Sequence, residues 1–222
     1  MRVITVDFDG TLYQGNSFKV MFDVAKKQYS LKQWSQVGLG TAKALGKLVT
    51  KGKAPAKHTF FRAFVKSFKG KSKKELEEFF YALAHGDLER VNRPLVDKVK
   101  RHIEDGDQVV IVSGALNPFL VAFKDAVGFE NVDIIGSELF YDENDIAVGK
   151  MGDIVNGKKK AEAVQEWLKN RDLTLDDVTL WAYADSESDS PLLEMVDHPV
   201  VVNPDEDMEK LAHQKGWPVF GS

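Results

Sequence analysis

The stretch VITVDFDGT, at residues 3–11, decides the fold. Its first four residues are all β-branched, which predicts a short buried strand. Asp7 directly follows those four residues and Asp9 lies two residues farther on, so the strand delivers two carboxylates to the loop at its carboxyl end. Open α/β sheets bind their ligands at that edge. The sequence therefore predicts a ligand site close to the start of the chain.

Three further apolar runs end in polar residues in the same way, and a fourth is shorter. They are residues 109–112 before Ser113-Gly114, 180–184 before Asp185, 200–202 before Asn203-Pro204, and 132–135. Helical patterns punctuated by Pro and Gly lie between these runs, and the alternation predicts an α/β fold with a doubly wound parallel sheet. Residues 139–141 and 146–148, on either side of an acidic turn, predict a β-hairpin.

Residues 15–90 do not follow this alternation and have an all-helical pattern. Apolar stripes of helical spacing run through 60–68 and 76–83, the second behind a capping box of Ser72 and Glu75, and a weaker pattern runs from Trp34 to Val49. We therefore expect residues 1–14 and 91–222 to form a core, and residues 15–90 to form an inserted helical unit.

Charge is distributed unevenly along the chain. The net charge is −4, yet residues 24–74 contain 14 Lys and Arg and no Asp or Glu. Such a segment faces either water or an anionic partner, for example a phosphorylated substrate, a lipid surface or a nucleic acid. Nucleic acid is not expected as a partner, because no reader motif or stacking platform accompanies the segment. The oligomeric state is left open.

Composition also bounds the compartment and the chemistry. The chain has no cysteine, which excludes disulfides and cysteine-based metal sites. No window approaches the length of a membrane span, and Asp7 and Asp9 interrupt the region where a signal peptide has its apolar stretch. We expect a cytoplasmic protein.

The reactive groups at strand ends and on an adjacent helix suit phosphoryl transfer. A carboxylate that approaches a phosphate dianion meets about 8 kcal/mol of repulsion at ~4 Å and an effective dielectric of ~20, so cationic groups must stand between them. Asp7, Asp9 and Asp185 could supply oxygen ligands to Mg²⁺. Lys160 adds a positive charge, and the Ser113 hydroxyl offers an anion site together with backbone N–H groups at a following helix N-terminus. Asp9 could protonate the leaving alkoxide and later activate water.

In order, spacing and topology, these segments resemble the four motifs of the haloacid dehalogenase superfamily of phosphohydrolases. The motifs are Asp7 to Thr11, Ser113-Gly114, Lys160, and Asp185 with Asp189. The resemblance implies that Asp7 is the nucleophile, that Asp9 is the general acid and base, and that Ser113 and Lys160 hold the phosphoryl group. Lys158 and Lys159 remain alternatives to Lys160.

The same resemblance implies a set of binding residues. Mg²⁺ would be held by the Asp7 side chain, the Asp9 backbone carbonyl and Asp185, with Asp189 in a supporting role. For Asp189, capping of the helix that follows is an equal alternative. Gly114 and Ser186 are expected to contact the substrate. Residues 15–90 resemble the helical type-1 cap of the phosphoserine-phosphatase-like subfamily, IB, in which the cap selects the substrate.

The substrate class is less determined. Phosphoserine phosphatases carry a glutamate shortly after the first motif that meets the substrate amine, and Asn16 stands at the aligned position here. A small phosphorylated molecule or an anionic lipid head group is therefore favoured over an amine-bearing substrate, with phosphoserine kept as an alternative. A phospho-acceptor signalling module is the rival from another class. It is disfavoured because such modules lack a cap, and because Asp9 favours rapid turnover of an aspartyl phosphate.

Overall fold

The computed structural model of the protein describes residues 1–28 and 53–221, and its centre is a six-stranded parallel sheet. The strands along the chain are β1 (Arg2–Val6), β2 (Gln108–Leu116), β3 (Val132–Ser137), β4 (Leu139–Tyr141), β5 (Ala147–Met151), β6 (Thr179–Ala184), β7 (His198–Val202) and β8 (Val219–Phe220). The order across the sheet is β3-β2-β1-β6-β7-β8, so β1 lies between β2 and β6. The polar residues in the carboxyl-terminal parts of these three strands, or just after them, are therefore neighbours in space.

Helices cover both faces of the sheet. They are α1 (Ser17–Gln28), α2 (Lys53–Val65), α3 (Lys73–Gly86), α4 (Arg93–Glu104), α5 (Asn117–Val127), α6 (Lys158–Lys169), α7 (Ser190–Leu193) and α8 (Glu206–Lys215). Two apolar cores result, one on each face, with Ile4 and Val6 in the first and Val3 in the second. This division follows from the alternation of side chains along a strand. The predicted α/β fold with a doubly wound parallel sheet is confirmed.

One strand end differs from the sequence-based expectation. The sequence predicted that β2 ends at residue 112, before Ser113-Gly114, but β2 continues to Leu116. The helix that Asn117-Pro118 was predicted to open and Gly128 to close is confirmed as α5. The pairing of β2 with β3 is irregular between Val112 and Leu116, which is the signature of a bulge. The Ser113 hydroxyl accepts a bond from the Ala115 N–H at 3.1 Å and so holds this local bend. The N-terminus of α5, expected to add backbone N–H groups beside Ser113, is therefore separated from Ser113 by the last residues of β2.

The helices between β1 and β2 pack through aromatic side chains. Phe18 of α1 meets Phe60, Phe61 and Phe64 of α2 at ring distances between 4.9 and 5.5 Å, all edge to face. The predicted capping box of Ser72 and Glu75 is confirmed at the start of α3. The weaker helical pattern from Trp34 to Val49 lies outside the described residues.

The predicted hairpin is confirmed as the antiparallel pair β4–β5, with its second strand extended to Met151. It also fixes the connection between α2 and α3. Ala147 accepts a backbone bond from Gly70 and donates one to Lys71, and Lys73 donates to Asp145. The end of the helical region is thus hydrogen-bonded to the hairpin, whereas α1 and the start of α2 lie over the carboxyl edge of the sheet. Within the described residues, no helix combines the length and apolarity needed to cross a lipid bilayer.

Candidate active site

A cavity of about 320 Å³ lies at the carboxyl ends of β1, β2 and β6. We call its lower wall, from strand ends and α6, the cavity floor; it contains Asp7, Asp9, Ser113, Lys160 and Asp185. We call its upper wall, from α1, α2 and the residue before α1, the cavity roof; it contains Asn16, Ser17, Phe18, Lys57, His58 and Phe61. Gly114 and Ser186 also line the cavity. The sequence-predicted residues are thus brought together, except that Asp189 lies beneath the floor.

A buried ion cluster forms the centre of the floor. The Lys160 Nζ atom lies 2.7 Å from Asp7 Oδ1 and 2.6 Å from Asp189 Oδ1, and the three residues are at most 6% exposed. The Phe8 N–H also donates to Asp7 Oδ1, at 2.6 Å. Both of these bonds reach the same oxygen of Asp7, so Oδ2 is the atom left for attack on a substrate.

The geometry distinguishes Lys160 from its neighbours Lys158 and Lys159, and it tests the capping alternative for Asp189. Lys159 is exposed and pairs with Asp153 at 2.8 Å, and Lys158 is exposed, so Lys160 is the lysine that enters the site. Asp189 immediately precedes α7, yet its side chain makes no capping bond. It accepts a bond from the Ser186 hydroxyl at 2.9 Å instead. The capping alternative for Asp189 is therefore wrong, because Lys160 and Ser186 take up its carboxylate.

The acidic groups of the cluster hold more negative charge than the lysine offsets. Burial raises the pKa of Asp7 well above its ordinary value, with Asp189 and Asp185 acting in the same direction and Lys160 opposing. Burial, with a contribution from Asp189, also raises the pKa of Asp185. Burial alone lowers the pKa of Lys160, but Asp7 and Asp189 together raise it above its ordinary value. One ammonium thus faces three carboxylates.

This charge excess and the donor set fit a divalent cation. Oxygens of Asp7, Asp185 and Asp189 all lie within 4.8 Å of one another. Mg²⁺ prefers carboxylate oxygens and accepts few protein ligands, with waters and substrate oxygens completing its shell. The residues present therefore suit Mg²⁺.

Gly10 and Thr11 position Asp185, a role that sequence reasoning did not assign to them. A Cβ atom on Gly10 would lie 2.0 Å from Asp185 Oδ2, and the φ of Gly10 is +88°, so only glycine fits. The Thr11 hydroxyl donates to Asp185 Oδ1 at 2.8 Å. The contact joins residues 174 apart in sequence, which is why the sequence gives no direct sign of it.

Asp9 is held by the first residue of α1. Its two carboxylate oxygens accept bonds from the Ser17 backbone N–H at 2.7 Å and the Ser17 hydroxyl at 2.8 Å. Burial raises the pKa of Asp9 to about 6, against the opposing effect of both Ser17 bonds. A carboxyl group with this pKa carries a proton in a useful fraction of molecules near neutral pH, as a general acid requires. Ser17 is a second residue that sequence reasoning missed.

The roof combines aromatic and polar side chains. The rings of Phe18 and Phe61 meet edge to face at 4.9 Å, and Phe61 is buried. Lys57 is exposed and His58 is half-buried. Burial lowers the pKa of His58 below 6.5, and the neighbouring Arg62 and Lys57 charges add to the effect. This shift favours the neutral imidazole of His58.

Comparison of the sequence with family models gives a match over residues 4–194 to the haloacid dehalogenase-like hydrolases. A histidinol-phosphatase of Neisseria meningitidis is 33% identical over 157 residues, which cover 67% of this chain and 68% of that protein. A phosphoserine phosphatase of Mycobacterium tuberculosis is 30% identical over 119 residues, which cover 53% of this chain and 37% of that protein. The chain thus spans about two thirds of the first relative and well under half of the second.

A solved structure of a Bordetella pertussis protein of unknown function is similar over nearly the whole length. Its TM-score is 0.80 at 21% identity, and the match covers 99% of this chain and 98% of that one. At this identity the likeness supports the fold alone.

Proposed function

This chain belongs to the haloacid dehalogenase-like hydrolase family and is a phosphatase, and we propose that it hydrolyses phosphomonoesters through an aspartyl phosphate on Asp7. One observation carries the proposal. Asp7 is paired with Lys160 in the cavity floor, and Asp9 faces the same cavity with a pKa of about 6. A nucleophile, a cation and an acid therefore converge on one space.

The proposed reaction has two steps. Asp7 Oδ2 attacks phosphorus, the bond from phosphorus to the leaving-group oxygen breaks, and Asp9 gives its proton to that oxygen. Asp9 is then ionised and takes a proton from a water molecule, which attacks phosphorus and releases phosphate and the Asp7 carboxylate. Lys160 and the Ser113 hydroxyl hold the phosphoryl oxygens during both steps.

We propose that Asp7, the Asp9 backbone carbonyl and Asp185 hold Mg²⁺, with Asp189 in support. When bound, the ion supplies positive charge between the carboxylate and the phosphate. Gly10 and Thr11 fix the orientation of Asp185 for this purpose.

The substrate is proposed to be a small phosphorylated molecule, with an anionic lipid head group as an alternative source. The relatives named for histidinol phosphate and phosphoserine support a small substrate. Residues 15–90 are proposed to act as the cap that selects it, over a core of residues 1–14 and 91–222. Gly114 and Ser186 line the cavity and are proposed to contact the phosphoryl end.

Phosphate release from a panel of phosphomonoesters, with Mg²⁺ and with EDTA, tests the reaction. We expect sustained release that needs Mg²⁺. Quenching during turnover should trap a phosphoryl group on the peptide that carries Asp7, and hydroxylamine should remove it, as it does acyl phosphates. A single turnover that leaves a long-lived phosphoenzyme would favour the phospho-acceptor module instead. Absence of both release and phosphoenzyme would contradict the proposal.

A further inference from the structure

The roof of the cavity offers hydrogen-bond donors and a positive charge. Lys57 is the lysine of the described roof, and burial lowers the pKa of the neighbouring His58, which favours its neutral form. Lys57 and Asp9 line the same cavity, so the Lys57 ammonium lies in the space that the proposed leaving group occupies. None of the ion pairs between described residues involves Lys57.

Asn16 adds a donor from α1. Its Oδ1 atom accepts a bond from the Lys19 N–H at 3.0 Å and so caps the helix. With the amide oxygen committed to the helix, the Nδ2 group is the part of Asn16 left for the cavity, and an amide NH₂ group only donates. Asn16 therefore favours an acceptor in the substrate.

The region that covers the cavity has no carboxylate to bind an ammonium group. The sequence from residue 24 to residue 74 contains no Asp or Glu, so this holds for every residue of that segment wherever it lies. Asp23, the acid nearest before it, is exposed on α1 and does not line the cavity. The carboxylates that do line it are those of Asp7, Asp9 and Asp185 in the floor.

We propose that the leaving group of the substrate carries a second anionic group, a carboxylate or a phosphate, which Lys57 and Asn16 recognise across a short apolar link that contacts Phe18 and Phe61. This inference rests on the proposed function and deepens it, because it assigns substrate selection to named residues. A substrate whose leaving group is cationic would meet Lys57 without a compensating carboxylate in the roof.

Three phosphomonoesters with two-carbon leaving groups isolate the charge: phosphoglycolate ends in a carboxylate, 2-hydroxyethyl phosphate in a hydroxyl, and phosphoethanolamine in an ammonium. We expect kcat/KM to fall in that order, with a difference of about five- to tenfold between the first and the last, because attraction and repulsion both act across a solvent-exposed charge pair. A preference for phosphoethanolamine, or equal values for all three, would overturn the inference.

Variants of Lys57 test the assignment to this residue. Lys57→Met should bring the ratio of phosphoglycolate to phosphoethanolamine close to one, and Lys57→Glu should reverse it. Lys66→Glu is the matched control, because Lys66 is an exposed lysine of the same helical region that does not line the cavity. A wild-type ratio in Lys57→Glu, or the same reversal in Lys66→Glu, would contradict the assignment.

Binding to Asp7→Asn separates this inference from the proposed reaction. Calorimetric dissociation constants for the three compounds should follow the same order without turnover, and adding Lys57→Glu should reverse it. If the wild type hydrolyses all three without preference, the reaction stands and the inference fails. If the order of binding holds but the wild type releases no phosphate, recognition stands and the reaction fails.

A vesicle assay distinguishes a lipid head group from a soluble substrate. The vesicles carry a lipid that has a phosphomonoester and a phosphodiester in its head group. Phosphate release from these vesicles that is lost in Lys57→Glu would identify a lipid as the source of the anionic group, whereas phosphate release from phosphoglycolate alone would identify a soluble substrate.

Discussion

The cavity floor and the cavity roof differ in how their polar groups are held. In the floor, Asp7 and Lys160 are buried and paired at 2.7 Å, and Lys160 is also paired at 2.6 Å with the buried Asp189 beneath the floor. In the roof, Lys57 is exposed and Asn16 has one end free of the helix it caps. A reacting group must be locked in place before substrate arrives, whereas a selecting group must be available to the substrate. We therefore expect floor variants to lower kcat and roof variants to change KM.

The largest effect is expected for Asp7→Asn. Its amide oxygen cannot replace the carboxylate as nucleophile, so kcat should fall by at least about 10⁴-fold. The fold should survive, because Lys160 keeps its pair with Asp189. Phosphate release measures kcat, and far-ultraviolet circular dichroism measures whether the fold survives. Asp97→Asn, at an exposed position of α4, is the matched control and should keep wild-type kinetics. Substantial turnover by Asp7→Asn would show that Asp7 is not the nucleophile.

Lys160→Met should affect both turnover and stability. Loss of the cation from the phosphoryl site should lower kcat by about 10²-fold. Two carboxylates of the buried cluster would lose their partner, and the free energy of unfolding should fall by about 3 kcal/mol in urea titrations with EDTA. Lys159→Met removes an exposed pair with Asp153 and should change neither value appreciably. Equal values of kcat and of the free energy of unfolding in Lys160→Met and Lys159→Met would show that the buried pairs of Lys160 contribute to neither turnover nor stability.

The floor was accessible to sequence reasoning because its chemistry restricts residue type and spacing. The resemblance of Asp7, Ser113, Lys160 and Asp185 to the motifs of the family implied that they share one site, and the alternation of strands and helices predicted the sheet around them. Contacts between distant residues were not accessible. The bond from Thr11 to Asp185 spans 174 positions, and nothing in the local sequence indicates it.

In the roof, sequence patterns predicted the helices but not which basic residue lines the cavity. Apolar spacing predicted its helices, but 14 basic residues in residues 24–74 look alike in the sequence. Only the position of α2 over the sheet edge distinguishes Lys57 from Lys66. The bulge after Val112 was missed for a similar reason, since the strand pairing that defines it is a tertiary feature.

Ser17 lies where floor and roof meet, so Ser17→Ala tests whether they are coupled. The variant keeps the backbone bond to Asp9 and loses the hydroxyl bond of 2.8 Å. Loss of one bond to a carboxylate should lower kcat by about tenfold. In an Asp9→Asn background the same change should have little further effect, because both act through one carboxyl group. Additive losses in the double variant would show that Ser17 does not act through Asp9.

The smallest effect is expected for His58→Gln. His58 lines the roof, and burial lowers its pKa and favours its neutral form, so at pH 7.5 the substitution exchanges one neutral hydrogen-bonding group for another. The KM for phosphoglycolate should rise by no more than about fivefold, the worth of a neutral hydrogen bond, and kcat should stay unchanged. The charge preference set by Lys57 should also persist, since no charge is removed. A fall in kcat comparable to that of Ser17→Ala would place His58 in the reaction itself and would break the division between a floor that reacts and a roof that selects.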